Sequence, residues 1–152
     1  MIAALDWPLS SDLKGVDQWQ APCATAFEEM LARVNGQYGN WHDPHNNGTY
    51  SVLASQPPGT LALSRRTGDG KYTDKLTFTF ADASSSTCSI AGCSESQVTS
   101  VADFSTNYCN LRMLYCGAVD GCSPVVHDFV SSEEKVQPSV GASSDRKACL
   151  KV

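Results

Sequence analysis

Between Tyr72 and Phe80 the chain alternates without a break. Tyr72, Asp74, Leu76, Phe78 and Phe80 fall on one side of an extended backbone, and Thr73, Lys75, Thr77 and Thr79 on the other. A period of two predicts a strand with one buried and one wet face, as in antiparallel sheets. Strand-like runs surround it at 49–54, 60–66, 87–91, 96–103, 106–116, 124–130, 134–140 and 147–152. Turn signals separate them: Pro57-Pro58-Gly59, Thr67-Gly68-Asp69-Gly70, Asp82–Ser86, Asp120-Gly121 and Pro138. One segment has helical period instead. Phe27, Met30 or Leu31, and Val34 recur at helix spacing after Thr25-Ala26-Phe27-Glu28, which fits a capping box, and Gly36 stands where a glycine stops a helix. These signals predict a helix over 24–34. Residues 1–22, with Pro8, Gly15 and Pro22, read as irregular, anchored by Trp7 and Trp19. No helical pattern recurs between strands, so βαβ units are not expected. The chain therefore reads as one mainly β domain. Residues 1–36 form an irregular segment plus a short N-terminal helix. Residues 37–152 form an antiparallel meander closed into an approximately eight-stranded barrel.

Composition narrows the setting. A chain of 152 residues, 41% hydrophobic and 18% charged, can bury one core and is not disordered in composition. Its apolar runs are too short for a transmembrane helix. Eleven basic and sixteen acidic residues give a net charge of −5 with no basic stripe, which argues against nucleic acid and anionic membranes as partners.

The cysteines change the picture most. There are seven: Cys23, Cys88, Cys93, Cys109, Cys116, Cys122 and Cys149. Only Cys88 and Cys93 approach zinc-ligand spacing, no second pair matches them, and no C-x-x-C is present. Disulfides in an oxidising compartment are the expectation, so the fold is read as disulfide-stapled and secreted. Met1–Leu5 is too short for a secretory apolar region, so a mature form with its signal peptide removed is expected. Asn47-Gly48-Thr49 is an N-glycosylation sequon and points the same way, with Asn47 as acceptor. If 106–116 is one strand, Cys109 and Cys116 stand about 23 Å apart, beyond the limit near about 7 Å for a bridge. Cys116 and Cys122 flank the loop Gly117–Gly121 and can close a hairpin, while Cys23 and Cys149 suit long-range staples. An odd count leaves one thiol free or bridged to another chain.

Four constellations are candidates for chemistry. Trp41-His42-Asp43-Pro44-His45 brings two imidazoles and a carboxylate together, with His127-Asp128 the only other histidine site. A proline-containing turn does not preset such groups on one face, and a polar surface loop anchored by Trp41 explains the same residues. No G-x-S-x-G elbow is present, and a bridged sulfur cannot attack a substrate. Glu28-Glu29 and Glu133-Glu134 are adjacent pairs that point apart on helix or strand, so they read as solvated. No cofactor is expected. The fourth is the inner sheet face. There Tyr50, Tyr72, Asp74, Phe78, Phe80, Tyr108 and Arg112 would form an aromatic wall with the few polar groups that orient a small ligand. Arg112 would share a strand face with Tyr108, and buried charges require partners or a ligand.

Gly39-Asn40-Trp41, after a short helix and before the first strand, resembles the G-x-W signature of the lipocalin (calycin) family. Val98–Cys116 resembles that family's later T-D-Y region and the strand after it, with Asn107 in place of the usual Asp. His42–Gly48 is inserted after the Trp, and Arg146 is the positional match to the family's late Arg. The resemblance implies an extracellular eight-stranded barrel carrying a small hydrophobic or amphipathic molecule, with Trp41 closing the barrel floor. A secreted carrier is thus the leading expectation. The alternatives are a secreted enzyme using His42, Asp43, His45 or His127, and a structural subunit of an extracellular assembly, disulfide-linked into an oligomer through the odd Cys.

Overall fold

The computed structural model describes residues 2–9, 21–98, 104–138 and 142–151, with backbone alone for 2–9. The alternation in the 70s is realised as a long strand, β4 (Thr73–Ser84) in a sheet numbered in chain order. Asp74, Leu76, Phe78 and Phe80 are buried, while Lys75, Thr77 and Thr79 are exposed. Around β4 runs an antiparallel meander of β2 (Thr49–Gln56), β3 (Thr60–Arg66), β4 and β5 (Thr87–Ser96). The sheet continues on the β5 side with β1 (Ile2–Leu9) and then β6 (Lys135–Pro138), giving the order β2-β3-β4-β5-β1-β6. Register aligns one inner face: Leu61 opposes Phe78, which opposes Gly92, and Leu63 opposes Leu76. Gly92 matters here because a side chain at that position would stand 3.1 Å from the Phe78 ring and 3.4 Å from Leu111.

Two helices cover this inner face. The predicted N-terminal helix is α1 (Cys23–Gly36), and it packs Phe27 on Phe80 with ring centroids 5.1 Å apart. It starts before the expected capping box, behind Pro22, and no side chain caps it. The second helix, α2 (Thr106–Arg112), replaces the strand expected at 106–116. The physical reason is burial. Every residue from Asn107 to Arg112 is buried, polar and apolar alike, and an element buried all round carries no polar–apolar period that separates helix from strand. Residues 147–152 were expected as a strand, but Arg146–Leu150 is a short 3-10 helix; 124–130 is irregular, and 2–9 pairs into the sheet. With these losses the sheet is open among the described residues, with β2 and β6 as edges, and is not closed into a barrel. The ends of the expected strands 96–103 and 134–140, the side chain of Trp7, and Trp19 lie outside the described residues.

Three disulfides tie the elements together. Cys23–Cys88 joins α1 to β5, Cys109–Cys149 joins α2 to the C-terminal segment, and Cys116–Cys122 closes the local loop expected from the sequence. Cys109 and Cys116 are indeed bridged elsewhere, although the strand argument that separated them does not hold. The free thiol is Cys93, half-buried on the outer face of β5. No helix among the described residues is long and apolar enough to cross a membrane. The entropic effect of a bridge grows with the loop it closes. Opening Cys23–Cys88, which spans 65 residues, by a double alanine substitution should cost about 4 kcal/mol in urea unfolding. Opening Cys116–Cys122, which spans 6, should cost about 2 kcal/mol.

Candidate ligand-binding site

The structure splits the histidine turn between the surface and the interior. His42 is exposed, whereas Asp43 and His45 turn inward. The Asp43 carboxylate accepts from Arg65 Nη2 at 2.7 Å and Nε at 3.0 Å, from the Tyr50 hydroxyl at 3.0 Å and from the His45 backbone N–H at 2.8 Å. Arg65 also donates to Asn46 Oδ1 and the His45 carbonyl. Its guanidinium crosses Gly48, where any Cβ would overlap it. Burial, with Asp43 beside it, pushes the Tyr50 phenol well up. Burial alone would lower Arg65, but Tyr50 and Asp43 raise it. The His45 imidazole lies 3.1 Å from the Ala148 carbonyl, and His127 lies 3.1 Å from Glu28. No group of three His, Cys, Asp or Glu suited to a metal occurs among the described residues.

The residues expected to line a barrel interior are instead joined by protein partners. Tyr50 donates to the Asn110 carbonyl, and Asn110 Nδ2 donates to Asp74 at 2.7 Å, so the expected site residues Tyr50 and Asp74 belong to one polar chain beneath α2. Ser96 completes the Asp74 shell. Phe80 packs on Phe27 of α1, Phe78 is buried beside Phe80 with ring centroids 6.5 Å apart, and Tyr72 is exposed before β4. Tyr108 and Arg112 do converge, because helix spacing puts positions four apart on one face. Their target is Glu133, which accepts from both tyrosines, Tyr108 and Tyr115, from Arg112 at 2.6 Å and from Arg146 at 2.8 Å. Arg112 also pairs with Asp120. Burial drives the Tyr108 hydroxyl up to about 12. Burial would raise Glu133 too, but the hydrogen bonds from Tyr115 and Tyr108 and the two arginines hold it below 4.5. The reading of Glu29 and Glu133 as solvated is therefore corrected: both carboxylates are buried, Glu29 accepting from Arg33 one turn on and from the distant backbone of 125–127, and Glu133 from the distant Arg112.

Open space is found elsewhere among the described residues. A cleft of about 410 Å³ runs between the loop after α1, the end of α2, the Cys116–Cys122 loop and the C-terminal segment. Trp41, Pro44, Met113 and Leu150 give it apolar walls, and Asn40, His42 and Ser123 give it polar ones. Trp41 is buried against Tyr50, with ring centroids 5.9 Å apart. Gly121 lets the walls approach: its φ of +85° favours glycine, and a side chain there would sit 3.1 Å from Leu150. None of Tyr50, Tyr72, Asp74, Phe78, Phe80, Tyr108 or Arg112 lines this cleft. Trp41 was singled out by its G-x-W setting and Cys122 by its bridge. Met113, Ser123 and Leu150 carry no sequence signal, because they meet only through folding.

Neither a family model nor a curated protein matches the sequence. Among solved structures, the chain is similar to an HSP90 activator from Plasmodium falciparum, with a TM-score of 0.44 and 8% identity over 66% of this chain and 76% of that one.

Two outcomes test these assignments. Asp43→Ala strands the buried Arg65 charge and should cost about 3–5 kcal/mol in urea unfolding, against about 0.5 kcal/mol or less for His42→Ala at the exposed neighbour. Glu133 has its pKa lowered by folding, so its stabilisation is complete above about 4.5 and is lost as pH falls through the folded value. Glu133→Gln should lower stability at pH 7 and flatten the fall in melting temperature below about pH 4.5.

Proposed function

We propose that this chain is an extracellular carrier that binds a small amphipathic molecule in the Trp41–Leu150 cleft. The observation that carries this reading is the cleft itself. Its volume of about 410 Å³ lies in the range of small-molecule sites, and it combines apolar walls with a few polar groups at the rim. Two of its walls are anchored by disulfides, Cys109–Cys149 behind Leu150 and Cys116–Cys122 beside Ser123. A site held in shape before binding loses little entropy on association. Three bridges in so short a chain also favour an oxidising compartment. In this reading the likeness to lipocalins concerns the kind of ligand carried, and neither the inner sheet face nor a closed barrel is required.

Leu150→Trp would fill the cleft without touching the core. In a calorimetric screen of small amphipathic molecules, the wild type should bind at least one. Leu150→Trp should then weaken that binding at least tenfold, about 1.4 kcal/mol, with its melting temperature unchanged. A screen without any binder, or equal binding by a folded Leu150→Trp, would overturn the assignment.

A further inference from the structure

A second hollow, of about 480 Å³, lies on the side of the molecule where the turn before β2 meets the β3–β4 turn. Tyr38, Asn47, Thr49, Arg66, Gly68 and Asp69 border it. Tyr38 is its unusual feature. The ring is 84% exposed, and its backbone is held at φ +75°, a conformation that bulky L-residues avoid. Nothing in the core uses this ring. Strain of this kind persists where surrounding structure enforces it, and it gathers at places that bind.

Asn47 is the second feature. Asn46 and Asn47 both have positive φ, which Asn tolerates better than most residues. The two have different fates. Asn46 Oδ1 accepts from buried Arg65, and its carbonyl accepts from the Gly68 N–H at 2.9 Å, which fastens the turn to the β3–β4 loop. Asn47 is exposed, and its side chain leaves directly over Gly68, where a Cβ would stand 2.8 Å from Asn47 Cβ. Gly68 thus leaves room for the Asn47 side chain at the border of the hollow. Thr49, the third sequon position, borders the same hollow at the start of β2.

From this geometry we propose that Asn47 carries an N-linked glycan whose first N-acetylglucosamine rests on Tyr38, between Arg66 and Asp69. In the transfer, Asn47 Nδ2 bonds to C1 of the sugar of a lipid-pyrophosphate-linked oligosaccharide. The C1–O bond to phosphate breaks, the pyrophosphate leaves with the electron pair, and the amide gives up one proton. Once the chain folds, the apolar C–H face of the sugar lies on the electron-rich face of the Tyr38 ring. Arg66 and Asp69 supply a donor and an acceptor to its hydroxyl and acetamido groups. The glycan thereby covers an exposed ring beside the cleft-forming loop.

This inference rests on the extracellular half of the function proposed above, and its readout is independent of the cleft. The full chain, secreted by a eukaryotic host behind a secretory leader, should show one glycan mass that a peptide N-glycosidase removes. That mass should be absent from Asn47→Gln and from Thr49→Ala, and kept in Thr49→Ser. In the glycosylated wild type, the N-acetyl methyl proton signal of the first sugar should lie upfield of its position in the unfolded glycoprotein. Tyr38→Ala should return it there with the glycan still attached, and Tyr38→Leu provides the same test if the alanine variant does not fold. A secreted, folded protein without glycan overturns the modification. A methyl signal that is the same in wild type and both Tyr38 variants overturns the seat. Ligand binding by glycosylated wild type scores the carrier reading separately.

Discussion

Glu29 and Arg33, one helical turn apart on α1 and wholly buried, tie the irregular part of the molecule to the regular part. The pair meets at 2.8 Å, but its chief effect is on other groups. The Glu29 carboxylate accepts the backbone N–H groups of Val125, Val126 and His127, each within 2.8 Å. Arg33 donates to the carbonyls of Met113 and Cys116. These stretches belong to no sheet, and buried backbone groups without partners are costly. One ion pair on a helix supplies what a strand ladder would otherwise have supplied. Burial would push the Glu29 carboxyl up, yet the N–H groups of His127, Val125 and Val126 together with Arg33 bring it below its ordinary value. Arg33 is lowered by the same burial, against the pull of Glu29. The carboxylate form is thus built into the fold.

The same device recurs at Asp43 and Glu133. Each is a carboxylate with an arginine and one or more tyrosine hydroxyls around it, and each holds a loop to the sheet or to α2. Gln37 is a neutral version. Its side-chain amide both donates to and accepts from the Tyr50 backbone, which occupies part of the open β2 edge. The walls of the cleft inherit their positions from these contacts. Met113 is held through Arg33, the 116–122 loop through its disulfide and Arg33, and the Trp41 loop through Asp43. Stability and site geometry therefore share residues, and the carboxylates that secure the fold also shape the cleft.

Much of the sheet was legible because its residues alternate. β2, β3 and β4 fall close to where period two places them, and α1 close to where helical spacing does. The Cys116–Cys122 bridge was legible because six residues and a glycine-bounded turn are a local matter. The second helix was not. Its sequence, with Tyr108, Leu111 and Leu114 among cysteines and Met113, is buried on nearly every side, so neither period stands out. The carboxylate hubs were hidden for another reason. A Glu beside a Glu reads as solvated unless three distant N–H groups or two distant arginines are known to surround it.

From the sequence alone came a mainly β chain with an alternating central strand, an N-terminal helix and a local disulfide. Each of these rests on short-range spacing or on composition, which one strand of text contains. Only the tertiary structure decided that the sheet stays open, that 106–112 is helix, which thiol remains free, and that Trp41, Met113, Ser123 and Leu150 surround one cleft. Those outcomes depend on which distant groups satisfy a buried charge or fill a space, and such pairings exist only once the chain has closed on itself.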